Sequence, residues 1–158
     1  MEDIFIKILW IYILSLVPGL EGRYALVVGK IMGLNLSTSF LIASFGVITL
    51  SLILPTVLPY IDKLMLKLVN KGGLTGRIAT MYLKYLENVR RRSSKYVNKW
   101  GIPGLILFVS IPLPATGVWT GSVAAYILGM RRRAVISSLL IGGLISNIIT
   151  LIPSIIIT

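Results

Sequence analysis

The chain has 158 residues, of which 56% are hydrophobic and only 13% charged, a balance that excludes an ordinary soluble domain. It carries sixteen Lys and Arg against five Asp and Glu, but ten of the basic residues fall within residues 62–99. This clustering indicates membrane topology and not a nucleic-acid partner. The sequence has no Cys and no His, so we expect no thiol or imidazole catalyst, no metal site, no cofactor and no enzyme activity.

The first element is too short to cross a bilayer. Residues 4–17 form an apolar run that reaches about two-thirds of the way across a hydrocarbon core of ~30 Å. Pro18 and Gly19 break this run, and residues 20–34 resume a helical pattern. The sequence therefore predicts that residues 1–35 form a re-entrant hairpin, which enters the membrane and turns back.

The next element is a transmembrane helix, followed by a basic connector. Residues 36–60 contain the uncharged run 37–59, which is long enough to span. In the connector, 61–99, apolar residues recur at helical spacing: Ile78, Met81, Tyr82, Tyr85, Leu86 and Val89. Its positive charge places it in the cytoplasm. Its helix either lies on anionic headgroups or packs on its own bundle with a solvated basic face.

The second half repeats this plan. Residues 100–130 contain a short apolar run, the break "IPLPATG" and a second helical pattern. If they crossed the membrane fully, Arg131–Arg133 would emerge on the outer side, so the positive-inside rule predicts a second re-entrant hairpin. Residues 131–158, with the uncharged run 134–157, then form the last transmembrane helix.

An offset of 96 residues relates the two halves, placing Pro18 on Pro114, Gly33 on Gly129 and Gly46 on Gly142. The predicted fold is a single membrane domain over 1–158, an all-α integral membrane protein. It consists of two inverted repeats, each a re-entrant hairpin plus one transmembrane helix, joined by the basic amphipathic cytoplasmic connector.

The two breaks define the candidate binding site. Broken helices at membrane depth expose backbone amides, and the positive end of each returning helix points into the membrane. We expect Thr116 to cap the second returning helix and Gly117 to allow close backbone approach. Glu21 and Arg23 lie in the first turn after the other break. Two helix ends plus an arginine suit an anionic group such as a phosphate.

The other candidate residues have alternative interpretations. Glu21 is either a proton carrier or a fixed partner of Arg23, which could itself extend to the membrane surface. Trp119 either flanks the site or belongs to an interfacial aromatic belt, and Pro112 and Pro114 shape the backbone. For Asn147, an interhelical hydrogen bond is favoured over substrate contact.

Two strings carry a family resemblance: "PGLEGRYALVVGKIMGL", and "IPLPATGVWTGSVAAYILGM" followed by a basic turn. With them the chain resembles the small multidrug export proteins, a prokaryotic family similar to the DedA-like, or VTT-domain, membrane proteins. The resemblance implies a transport fold with inverted hairpins, with Glu21 and Arg23 as the essential charged pair. It also implies that Pro114, Thr116 and Gly117 form the tip of the second hairpin.

The expected function is proton-linked translocation of an anionic amphiphile, such as a phosphorylated lipid carrier, in the prokaryotic plasma membrane. Small-molecule or multidrug efflux, a channel built from the paired hairpins, and a scaffold or insertion factor are the alternatives. The expected partners are membrane lipids, protons and further copies of the chain in a homodimer or other homo-oligomer.

Overall fold

A computed structural model describes residues 2–113 and 116–156 of the chain. In this part of the chain all regular structure is helical and no strand occurs, which confirms the predicted all-α class. The seven helices are α1 (Glu2–Leu16), α2 (Glu21–Ile31), α3 (Leu36–Leu68), α4 (Gly73–Trp100), α5 (Ile102–Ser110), α6 (Val118–Ile127) and α7 (Arg132–Ile156).

Helices α3 and α7 are both long and apolar enough to cross a membrane, so the two uncharged runs form helices that are candidate membrane spans. They pack side by side in opposite directions. Asn147, near the middle of α7, donates to Ser44 Oγ in the first third of α3 at 3.4 Å. Arg132, at the start of α7, donates to Thr56 Oγ1 at 2.7 Å in the second half of α3.

Helix α3 continues to Leu68, beyond the predicted end of the span at residue 60. Its 33 residues make it about 50 Å long at 1.5 Å per residue, which exceeds a hydrocarbon core of ~30 Å. The first part of the basic connector is therefore the end of α3, and α4 forms the rest.

Each long helix is flanked by two short ones with the same arrangement of directions. Helix α1 runs parallel to α3, since Ile8 lies near Leu41 and Tyr12 bonds to Thr49 at 3.1 Å. Helix α2 runs antiparallel to α3, because Gly22 approaches the Ala43 carbonyl and Gly29 approaches Ser39.

Helices α5 and α6 repeat this arrangement around α7. In α5, Ile106 and Val109 lie near Gly142, and Pro112, just after the helix, lies near Ile149, so α5 and α7 run parallel. In α6, Gly121 lies near Leu139 and Val118 near Gly143, so α6 and α7 run antiparallel.

Helix α4 packs on the bundle along one face, from Ala79 in its first half to Val97 near its end. Val89 and Val97 are buried, and Tyr96 contacts Phe108 of α5 with ring centroids 6.2 Å apart. The first half leaves Ile78 and Met81 exposed. The amphipathic stripe predicted for the connector is thus used partly for packing on the chain's own helices.

Gly46 lets α1 pack closely against α3. A Cβ at this position would overlap Ser15 Oγ and lie 2.6 Å from Ser15 Cβ. We therefore expect Gly46→Ala to destabilise the fold by about 1–3 kcal/mol, the usual cost of overpacking. Unfolding in detergent by SDS titration measures this cost.

The matched controls for this prediction are Ser15→Gly and Gly72→Ala. The first should restore stability when combined with Gly46→Ala, because it removes the overlapping atoms. The second adds a Cβ with no atom within 4 Å and should cost little. A double variant no more stable than Gly46→Ala alone would contradict the close approach of α1 and α3.

Candidate functional site

A buried charged pair, Glu21 and Arg23, lies where the two halves of the chain meet. Both residues belong to the first turns of α2, and they are only 5% and 6% exposed. Glu21 Oε2 and Arg23 Nη2 are 3.7 Å apart. Ionised side chains are rarely buried without partners, so the contacts of this pair define the site.

The Glu21 carboxylate caps the N-terminus of α6. Val118 N donates to Glu21 Oε2 at 2.9 Å, and Trp119 N donates to Glu21 Oε1 at 3.1 Å. These amides are among those that the helix itself leaves unpaired. A carboxylate there is stabilised both by the two hydrogen bonds and by the positive end of the helix dipole.

The expectation that Thr116 caps α6 is wrong. The N-cap residue is Gly117, which has no side chain that could accept a hydrogen bond from the amides of α6. The Thr116 hydroxyl instead lies 2.6 Å from the Ile111 carbonyl and 2.7 Å from the Leu113 carbonyl. The amides of α6 are satisfied by Glu21, a side chain from the other half of the chain.

Arg23 binds the segment between α5 and α6. Its Nη1 donates to the carbonyls of Ile111 and Leu113, each at 3.1 Å, and to Thr116 Oγ1 at 3.3 Å. These carbonyls follow the end of α5 and lack helical partners. The Arg23 guanidinium thus donates to backbone carbonyls that follow α5. Its neighbour Glu21 accepts from backbone amides at the start of α6.

The remaining predicted site residues have separate places. Trp119 joins the halves through its indole, since Nε1 donates to the Leu16 carbonyl at 3.0 Å. Pro18 and Gly19 form the exposed turn between α1 and α2. Pro112 lines a cavity together with Arg23. Pro114 lies outside the described residues.

The backbone at the site is unusual at two positions. Glu21 has a φ of 41°, in the left-handed region, which non-glycine residues seldom adopt. Gly117 has a φ of 143°, and a Cβ there would overlap both Glu21 Oε2 and Arg23 Nη2. Such conformations occur mainly where function or tight packing requires them.

The surroundings of the pair are closely packed. Gly22 places α2 directly against Asn147. Asn147 also donates to Ser44 of α3, which confirms the expected interhelical hydrogen bond. The space left beside the pair is about 10 Å³, close to the smallest volume that holds one water. The pair is a tight contact and not an open binding pocket.

Two larger cavities are each lined in part by residues that follow α5. The first, which we call the α2–α7 cavity, has a volume of about 480 Å³ and is lined by Arg23, Tyr24, Pro112, Ile149 and Thr150 among others. The second, which we call the basic cavity, has a volume of about 580 Å³. It is lined by Arg91, Arg92 and Lys95 of α4 and by Ile111, Leu113 and Thr116.

Of the residues that line these cavities, sequence reasoning identified Arg23, Pro112 and Thr116 as site residues. Tyr24, Ile149 and Thr150 carry no local signal, and the basic residues of α4 were interpreted as a topology signal and as contacts to anionic headgroups. A further surface cavity of about 730 Å³ at the turn between α3 and α4 contacts neither the charged pair nor its partners. Within residues 2–113 and 116–156, no cluster of three acidic side chains that could hold a metal is present.

Two apolar spans and a charged pair buried between short helices define a helical membrane protein. The sequence profile of the family described as "Putative small multi-drug export protein" matches residues 21–149. The chain therefore belongs to this family, whose name indicates transport. The comparisons with curated proteins and with solved structures gave no match.

Proposed function

We propose that the chain is a secondary transporter of the prokaryotic plasma membrane that translocates an anionic amphiphile. The contact between Glu21, Arg23 and the segment 111–118 is its gate. The proposal includes the DedA-like relation and, as the substrate, an amphiphile such as a phosphorylated lipid carrier. The proton is the proposed coupling ion.

The lengths and directions of the short helices support two re-entrant hairpins. Helices α1, α2, α5 and α6 have 15, 11, 9 and 10 residues, so the longest is about 22 Å long, less than a core of ~30 Å. Each pair flanks a long helix, one member parallel and one antiparallel. Because α3 and α7 run in opposite directions, the two units are related as inverted repeats.

The charge distribution supports the orientation. Arg131–Arg133 lie at the same end of the bundle as the end of α3, which leads into the basic connector. The positive-inside rule places this end in the cytoplasm. Lys30, whose Nζ donates to the carbonyls of Ser154 and Ile155 at the end of α7, then lies at the outer end.

The contact of Arg23 with Ile111, Leu113 and Thr116, which carries the proposal, joins the linings of the two cavities. Arg23, which contacts segment 111–116 from the other half of the chain, lines the α2–α7 cavity. Ile111, Leu113 and Thr116, which contact Arg23, line the basic cavity. Loosening this contact would therefore connect the two cavities, which is what alternating access requires.

The lining of both cavities favours an anionic amphiphile. The α2–α7 cavity is mostly apolar with one guanidinium, and the basic cavity has three cationic side chains beside Phe108. A net charge of +11 repels lipophilic cations. Glu21 is the ionisable group at the gate, and its protonation would remove the charge that holds the amides of α6.

Multidrug efflux is the second candidate function, because the family name describes it. The two candidates differ in the charge of the substrate. Proteoliposomes of phosphatidylethanolamine and phosphatidylglycerol separate them, with NBD-labelled phosphatidylglycerol as the anionic probe and ethidium as the cationic one. We expect pH-gradient-dependent movement of the anionic probe, and movement of ethidium alone would favour efflux.

Cross-linking tests whether the gate must open. The chain has no Cys, so Tyr24→Cys with Pro112→Cys creates a unique thiol pair across the α2–α7 cavity, which both residues line. A short thiol-reactive cross-linker should reduce movement of NBD-phosphatidylglycerol to the level of empty liposomes, because it fixes α2 to segment 111–116.

Ile8→Cys with Leu41→Cys is the matched control. These two residues line a cavity between α1 and α3, both within the first half of the chain, which moves as one unit in the proposal. Cross-linking this pair should leave transport unchanged. Full transport with the 24–112 pair cross-linked would overturn the gate.

A further inference from the structure

A line of hydroxyl and carboxyl side chains leads from the charged pair toward the connector end of the bundle. Its members come from three helices and play no part in the gate: Thr120 and Tyr126 on α6, Tyr82 and Tyr85 on α4, and Asp62 on α3. Asp62 is one of only five acidic residues in the chain.

The inner end of this line lies in the first turn of α6, where the amides that bind Glu21 are found. Thr120 is buried and follows directly on Val118 and Trp119, whose amides bind the Glu21 carboxylate. Its Oγ1 lies 3.4 Å from the Tyr85 hydroxyl. Burial raises the pKa of Tyr85, the Thr120 hydroxyl partly lowers it, and the Glu21 carboxylate raises it further.

The outer end of the line reaches Asp62. The Tyr126 hydroxyl donates to Asp62 Oδ2 at 2.8 Å. Asp62 is partly exposed and lies two residues after Tyr60, near the end of α3 that leads into the connector. A carboxyl group in this position can exchange protons with water on the connector side.

Tyr82 has neighbours in both of these hydrogen-bonded pairs. Burial raises the pKa of Tyr82 to about 12, with the Asp62 carboxylate as the second cause and Tyr126 and Tyr85 as further neighbours. The Tyr82 hydroxyl is buried and has no hydrogen-bond partner among the residues described. A buried hydroxyl without a partner usually binds water or exchanges partners.

We propose that protons reach Glu21 from the connector side along Asp62, Tyr126, Tyr82, Tyr85 and Thr120. This inference rests on the proposed function, in which Glu21 carries the coupling proton. Asp62 takes a proton from water. Each hydroxyl then accepts one proton on its oxygen and releases its own to the next group, because hydroxyls are both donors and acceptors.

The net transfer is one proton, and every hydroxyl returns to its neutral form. Glu21 changes from carboxylate to carboxylic acid, while Arg23 stays charged. The protonated carboxyl no longer attracts both amides of α6 as strongly, because a charged acceptor forms the stronger hydrogen bond. Arrival of the proton thus weakens the contact between the two halves.

The test uses Trp119, whose backbone N–H donates to Glu21, as a fluorescent reporter. Trp10→Phe with Trp100→Phe leaves Trp119 as the only tryptophan of the chain. Proteoliposomes with the connector facing the bath receive a rapid pH drop, and the Trp119 signal is followed. We expect Asp62→Asn and Tyr126→Phe each to slow the response by about tenfold or more, since positioned proton-transfer groups contribute large rate factors.

In these variants the rate of the Trp119 response must change while its final amplitude stays the same. A relay residue alters how fast Glu21 is protonated and does not alter the fraction of Glu21 that is protonated at equilibrium. Tyr60→Phe and Glu87→Gln, an exposed tyrosine on α3 and an exposed acid on α4, are the matched controls and should respond at the original rate. An unchanged rate in both Asp62→Asn and Tyr126→Phe overturns the relay. A changed end point or lower unfolding temperature with an unchanged rate also overturns it, in favour of a structural role.

Glu21→Gln separates failure of the relay from failure of the proposed function. If Glu21→Gln abolishes the Trp119 response while the Asp62 and Tyr126 variants keep the original rate, only the relay is refuted. If Glu21→Gln keeps the full response, Glu21 does not carry the proton, and both the coupling role and the relay are refuted.

Discussion

Glu21→Gln is expected to abolish proton-linked transport and to destabilise the protein by about 3–5 kcal/mol, the usual cost of removing one partner from a buried ion pair. The substitution keeps the size and shape of the side chain. Any effect therefore reports the lost charge and not a cavity. Transport of NBD-phosphatidylglycerol and unfolding by SDS titration measure the two effects separately.

The physical reason for this large effect is that Glu21 balances two groups at once. Its carboxylate accepts from Val118 N and Trp119 N and lies 3.7 Å from Arg23 Nη2. A glutamine amide accepts more weakly, and its NH₂ group repels the α6 amides if it turns toward them. Arg23 would then remain a buried cation with only neutral acceptors.

A double-mutant cycle with Arg23→Gln distinguishes a coupled pair from two independent residues. If each residue stabilises the other, Glu21→Gln combined with Arg23→Gln should cost clearly less than the sum of the single substitutions. Glu87→Gln, at an exposed position on α4, is the control for loss of one negative charge. Additive costs, or an equal loss with Glu87→Gln, would contradict the buried pair.

Composition and hydrophobic runs predicted the all-α class and the two long apolar helices, although α3 extends past the predicted end at residue 60 to Leu68. The uncharged runs predicted α3 and α7 because length and apolarity alone decide whether a helix can cross a bilayer. Pro18 and Gly19 predicted the end of α1, because proline cannot continue a helix and glycine supplies the turn. Glu21 and Arg23 were found as charges in an otherwise apolar region.

What sequence reasoning could not predict is which group satisfies which helix end. The local rule favours Thr116 as the cap of α6, whereas the acceptor is Glu21, 97 residues from Val118 along the chain. No periodicity encodes a contact between segments so far apart. Tyr24 and Asp62 were missed for the same reason, since their neighbours lie on other helices.

The contacts of Glu21 show one of its two predicted roles, that of a fixed partner of Arg23, and the proposed function adds the other, that of a proton carrier. The pair is a fixed partner across the two halves, and it is also the ionisable group at the proposed gate. A gate needs a closed state that is stable and a signal that weakens it. A buried carboxylate holding a helix N-terminus supplies the first, and its protonation supplies the second.

Gly117→Ala is expected to disrupt the gate without changing any charged residue. Gly117 has a φ of 143°, so any other residue there costs about 1–3 kcal/mol in backbone strain. Its Cβ would also overlap Glu21 Oε2 and Arg23 Nη2. Because both atoms take part in the contact, the alanine should separate the halves and bring transport of NBD-phosphatidylglycerol close to background.

Gly129→Ala separates the strain from the overlap. Gly129 lies in the same half with a φ of 65°, and a Cβ there would have no atom within 4 Å. The Gly129→Ala variant should therefore be less stable in SDS titration because of backbone strain alone. It should still transport NBD-phosphatidylglycerol. If Gly117→Ala costs no more than Gly129→Ala and transports normally, the glycine is only a turn residue. A larger loss in Gly117→Ala means that the bare glycine backbone is what allows the carboxylate of one half to reach the helix of the other.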